Sequence, residues 1–122
     1  MIMNTRTRQF PNTLSTTELT KLYTLHLLQK KDCHGKELID TIYKELNYNW
    51  KPSPGMVYPL LRALESEGYI EGSWSHIDKR HTRYYRLTEE GYRHLNIIRK
   101  NYLDQLSVTR KIIDLTILKL KI

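Results

Sequence analysis

The sequence predicts a mainly α fold that carries one small β-hairpin and closes on a long helix. Three observations lead there. Apolar residues recur at helical spacing through most of the chain, as in Leu38, Ile39, Ile42, Tyr43 and Leu46. After Gly68 the period changes, and residues 69–75 and 83–88 read as two short strands rich in Tyr and Trp, joined by residues 76–82. The length of 122 residues, 39% of them hydrophobic, supports one compact core and leaves little room for two.

Residues 1–14 show no periodicity and carry Arg6 and Arg8, so a loose arm is expected. Ser15-Thr16-Thr17-Glu18 has the pattern of a capping box, in which the Ser15 hydroxyl takes the third helical N–H and Glu18 reaches back to the cap. Leu14 and Leu19 stand where a hydrophobic staple would put them. The helix that follows, over residues 16–30, carries Leu19, Leu22, Tyr23, Leu25, Leu27 and Leu28. They cover too much of its circumference for a surface helix, so it should touch partners on two sides. Lys31-Asp32-Cys33-His34-Gly35 reads as a turn before the second helix, which Asn47-Tyr48-Asn49-Trp50-Lys51-Pro52 ends. Ser53 then resembles an N-cap with Pro54 at the first helical position. Val57, Leu60, Leu61 and Leu64 mark the inner face of this third helix, and Gly68 suits its stop. Pro59 deletes a backbone donor, a cost that shrinks if the helix begins near Gly55, because the first four N–H groups have no partner. Thr88 caps the last helix, and Glu89 and Glu90 favour its positive end. Tyr92, Leu95, Ile98, Tyr102 and Leu106 continue it. Unbroken to residue 122 it would measure roughly 50 Å; Val108-Thr109 leaves its continuity open.

The composition excludes several classes. The longest uncharged stretch, residues 52–61, is too short for a transmembrane helix, and residues 1–17 lack the apolar run of a secretory signal. A single cysteine, Cys33, allows no internal disulfide and suits a reducing cytoplasm. Twenty Lys and Arg against 13 Asp and Glu give a formal charge of +7, which favours polyanions as partners. Catalysis finds no support. The five glycines form no phosphate-cradling loop, adjacent Cys33 and His34 diverge, and Glu65 and Glu67 point to different helix faces. His76, His81 and His94 have no metal-ligand spacing, so neither metal nor cofactor is expected.

From His34-Gly35 onward the motifs fall in a familiar order. Ser53-Pro54-Gly55-Met56-Val57-Tyr58-Pro59-Leu60-Leu61-Arg62-Ala63-Leu64-Glu65 is followed by Glu67-Gly68-Tyr69-Ile70, then by Arg83-Tyr84-Tyr85-Arg86-Leu87-Thr88-Glu89-Glu90-Gly91. With the first helix, this set resembles the PadR family of bacterial transcriptional regulators over most of the chain. The resemblance implies a winged helix-turn-helix: a DNA-binding domain over residues 15–88 and a dimerisation helix over residues 89–122, of the short type with one C-terminal helix. It further implies a homodimeric, cytoplasmic repressor on a palindromic operator in double-stranded DNA, away from membranes, released in many members by a small aromatic or hydrophobic effector. A DNA-associated winged-helix module that senses nothing and controls no promoter is the alternative.

On the third helix, at 100° per residue, Gly55, Tyr58, Pro59, Arg62 and Ser66 oppose the apolar arc. Tyr58 can donate to a phosphate, the role the resemblance implies for it, and Arg62 can reach a guanine edge or a phosphate. Gly55 admits close backbone approach, and Ser53 and Pro54 open a helix end with free N–H groups. Lys51 flanks that end. Lys79, Arg80, His81 and Arg83 supply charge beside it, where phosphates would run. Tyr23, His26, Tyr92 and Tyr102 are the candidate effector pocket.

Overall fold

The structure, a computed structural model, describes residues 15–75 and 82–121; the predicted arm, Leu14 of the staple and the loop residues 76–81 lie outside them. Helix α1 spans Thr16–Leu28, α2 Gly35–Glu45 and α3 Pro54–Ser66. A short strand β1 covers Cys33–His34, ahead of α2; β2 covers Ile70–Trp74, β3 Arg83–Leu87, and α4 Glu89–Leu120. The antiparallel sheet has the order β1-β3-β2, with Cys33 facing Tyr85 and Ile70 facing Leu87. The turn expected at residues 31–35 is therefore partly a strand, and the hairpin is a three-stranded sheet.

Leu25, Leu38, Ile42, Val57, Leu61, Leu64, Ile70 and Leu95 are fully buried, so all four helices and β2 contribute to one core. The crowded α1 meets α2, α3, α4 and β3, as its excess of leucine requires. Its cap differs in one respect from the reciprocal box. Ser15 Oγ accepts the Glu18 N–H at 3.1 Å, yet the Glu18 carboxylate accepts from the Tyr102 hydroxyl of α4. That bond and burial push the Tyr102 phenol up to about 12, burial being the larger cause. The reciprocal box forms on α2 instead, where His34 Nδ1 accepts the Glu37 N–H and Glu37 Oε1 accepts the His34 N–H.

Helix α3 begins at Pro54, so Pro59 is its sixth residue and lies beyond the free first turn. The missing donor is tolerated because this side of the helix is exposed and water can reach the Gly55 carbonyl. Gly68 ends the helix in the left-handed region at φ 83°, as a C′ glycine does. Thr88 then stitches the sheet to α4. Its Oγ1 donates to the Gly68 carbonyl at 2.6 Å and accepts the Gly91 N–H at 3.0 Å. A Cβ at Gly91 would stand 2.0 Å from the Tyr69 carbonyl oxygen, so only glycine lets α4 start there. Helix α4 runs unbroken for 32 residues, about 48 Å; Val108-Thr109 does not interrupt it.

Candidate nucleic-acid interface

Two helices and the sheet meet around α3. The link from α2 carries Asn47 and Tyr48 in the left-handed region, at φ 54° and 62°, which turns the chain sharply toward Ser53. Ser53 Oγ accepts the Met56 N–H at 3.2 Å, and Pro54 occupies the first helical position. Val57, Leu61 and Leu64 face inward, whereas Gly55, Tyr58, Pro59, Arg62 and Ser66 are exposed. Arg62 forms no ion pair, and the Tyr58 hydroxyl no hydrogen bond, among the described residues.

Tyr58 uses its ring locally. A Cβ at Gly35 would come within 2.5 Å of Tyr58 Cε1, so the ring lies on bare backbone at the start of α2. This contact forms the floor of a cleft of about 300 Å³ lined by His34, Gly35, Lys36, Tyr58, Thr82, Arg83 and Tyr85. Lys36 and Gly35 thus share a surface with Tyr58 although sequence reasoning had passed them over. The box His34-x-x-Glu37 was the available signal, since it fixes where α2 begins and hence which residues crown it.

The cations differ in how free they are. Lys36 Nζ is 3.1 Å and Lys51 Nζ 3.8 Å from the two oxygens of Asp40, and Lys51 also lies over the Tyr43 ring at 5.3 Å. Both amines are more than half exposed, so these pairs are weakly held. Arg83 is bound more firmly. Its guanidinium donates to Glu65 of α3 and stacks over the rings of Trp74 and Tyr85. The hydrogen bond to Glu65 raises its pKa above the ordinary value. Trp74 is 55% exposed, at the loop end of β2 and beneath Arg83. Tyr85 is buried and Tyr84 exposed, as strand alternation requires. Lys79, Arg80 and His81 lie outside the described residues.

The four residues of the candidate effector pocket are not brought together. Tyr23 and His26 line an apolar groove of about 480 Å³ between α1 and α4, beside Leu22, Arg99, Leu103 and Leu106. Tyr102 is buried and bonded to Glu18 without lining that groove, and Tyr92 faces a separate hollow with Leu28, Arg86 and Leu87. Helical spacing could not show this, because it fixes the face of one helix and says nothing of which faces meet. Among the described residues, no helix is long and apolar enough to cross a membrane, and no cluster of His, Cys, Asp and Glu could hold a metal.

Comparison with known proteins agrees with this architecture. The chain is 40% identical over 50 residues to the transcriptional regulator YqjI of Escherichia coli, 41% of this chain and 24% of that protein. It therefore spans about a quarter of that relative's length. It is 31% identical over 71 residues to the transcriptional regulator Rv3488 of Mycobacterium tuberculosis, covering 58% of this chain and 64% of that one. A PadR family transcription regulator from Clostridium difficile R20291 superposes with a TM-score of 0.60 at 25% identity, over 77% of this chain and 97% of that one. The pattern of the PadR-like transcriptional regulator family matches residues 24–97, more than half of the sequence. With its winged-helix fold and its exposed α3, the chain belongs to the PadR-like family of transcriptional regulators.

Proposed function

We propose that the chain acts as a homodimeric, sequence-specific repressor that lays α3 in the major groove of a palindromic operator. The observation that carries this is the division of α3, whose inner arc is buried while Tyr58 and Arg62 stand outside beside a capped, proline-led N-terminus. Tyr58 donates to a phosphate, Arg62 reads a base edge, and Lys51, Ser53, Pro54 and Gly55 position the helix end on the backbone. Lys36 joins them from α2. Lys79, Arg80 and His81 add charge from the chain between β2 and β3.

The exposed surface of α4 supports the dimer. Leu103, Ile113, Leu115, Ile117 and Leu118 are all about half exposed or more, a load of apolar surface that a small monomer does not leave in water. A two-fold pair of recognition helices calls for half-sites about 34–36 Å apart, hence a palindrome. Such a dimer represses wherever its site overlaps a promoter. The groove holding Tyr23 and His26 is of a size and polarity for a small aromatic or hydrophobic effector.

The test is selection of duplexes from a random pool with the full chain, followed by titration of the recovered site against random DNA. A palindromic site preferred by at least ~1,000-fold is expected. Equal affinity for both duplexes would leave only a non-specific DNA-associated module.

A further inference from the structure

Glu65 lies on α3 one turn beyond Leu61, at the side of the helix that meets the hairpin. One of its oxygens, Oε2, accepts two hydrogen bonds from that hairpin. The first comes from the Gly72 N–H of β2 at 3.3 Å, the second from the Arg83 guanidinium of β3. Arg83 in turn lies 5.0 Å from the centroid of the Trp74 ring and 5.8 Å from that of Tyr85. It also crosses the bare backbone of Gly72, where a Cβ would stand 2.5 Å from its Nε. The register closes the set, since Trp74 faces Arg83 and Gly72 faces Tyr85. Two residues of the hairpin thus bond to one carboxylate of α3, and two more hold the arginine that reaches it.

We propose that Glu65 is a positioning residue for DNA binding: through Arg83 and Gly72 it sets the angle between the hairpin and α3, and Arg83 serves the hairpin instead of a phosphate. This rests on the reading that α3 enters DNA. The hairpin strands are levers of roughly 16 Å at about 3.3 Å per residue, so a swing of about 15° at the root moves the far end by roughly 4 Å. That exceeds the distance range of any hydrogen bond. The root pair is Ile70 and Leu87, so bonds from Glu65 to Gly72 at mid-strand and to Arg83 at the loop end brace the hairpin against that swing, and the brace decides whether hairpin and α3 can reach the backbone of one duplex together.

The role has a sign that a plain surface acid lacks. Removing a negative charge beside a DNA-binding face reduces repulsion and by itself tightens binding. Removing the anchor of the hairpin loosens it. The experiment uses the full chain and a duplex recovered by selection with it, and measures anisotropy across a salt series. Glu65→Gln is expected to bind about tenfold more weakly despite the gain in net charge, on the scale of one charge-assisted hydrogen bond. Gly72→Ala alters no charge and displaces Arg83, and a similar loss is expected from it. Arg83→Ala should weaken binding without changing the salt slope. Amide exchange at Gly72, followed by NMR without DNA, should speed up in Glu65→Gln while core amides stay protected. Affinity in Glu65→Gln that is unchanged or tighter overturns the proposal. So does a salt slope lowered by about one in Arg83→Ala, the mark of a lost phosphate contact. If the wild-type chain binds no selected duplex, the reading of α3 falls, and the Gly72 amide still reports on the anchor itself.

Discussion

Tyr58 lies with its ring over Gly35, while the residue is exposed and its hydroxyl makes no hydrogen bond among the described residues. Tyr58→Phe should therefore keep the melting temperature and cost DNA affinity about 1 kcal/mol or more, as for a hydrogen bond to a charged group. Arg62→Ala should lose about 1–3 kcal/mol on the preferred site and little on random duplex. Leu61→Ala, at a fully buried position, should lose about 2–5 kcal/mol of stability. Melting curves and isotherms on the same samples check all three. If Tyr58→Phe unfolds the protein while Leu61→Ala leaves it intact, the core and outer faces of α3 are exchanged and the recognition surface is wrong. His94 supplies a pH dependence. Its ring stacks flat on Tyr69 with centroids 4.1 Å apart, and its Nε2 is buried without a hydrogen-bond partner among the described residues. Burial, helped by Lys21 and opposed by Glu67 and Glu18, lowers its pKa below the ordinary 6.5. The unfolded chain thus takes the proton first, and stability is full above about pH 6.5 and falls as pH drops through the folded pKa. Thermal melts from pH 7 to pH 5 should show this decline, and His94→Phe, which keeps a stacking ring, should flatten it.

Among the elements, Thr88 joins Gly68 to the first turn of α4. Thr88→Ala should cost about 1–2 kcal/mol, measurable by urea titration, and Thr88→Ser should recover most of it. The Thr88 cap was legible in the sequence, as were α1, α3, the hairpin and the buried arc of α3, because each is written in local period or in a cap; the bond from Thr88 back to Gly68 was not, since it spans 20 positions. Other features have no local signature. A two-residue strand such as Cys33–His34 has no alternation to read, and its partner lies far down the chain. Pro59 reads as a breaker by local rule, yet it falls on an exposed face where the lost bond is cheap. Val108-Thr109 lowers helix propensity by only a few tenths of a kcal/mol, too little to stop a long helix. Arg83 was read by its charge alone; its partner Glu65 is on another element, and spacing cannot pair them.

For the molecule as a whole, the proposed dimer places assembly on the exposed end of α4. Ile113 and Ile117 are each 48% exposed and make no core contact, so replacing them should not disturb the monomer. The double variant Ile113→Lys, Ile117→Lys is expected to run as a monomer in light scattering with its helical signal largely kept. A variant that remains dimeric would put the second copy on some other face.

The sheet also dictates an order of events in time. Trp74 faces Arg83 across nine positions of sequence, whereas Cys33 faces Tyr85 across fifty-two. Closing the longer loop costs about 1.5 kcal/mol more in chain entropy, so the hairpin zips first and β1 docks late. A strand that docks late and holds by two residues is also the one to detach before global unfolding. The strand itself carries the only thiol of the chain, Cys33, 4% exposed. The rate at which a thiol reagent labels Cys33 in the native protein should then clock the opening of β1, and exceed the rate of global unfolding under the same conditions.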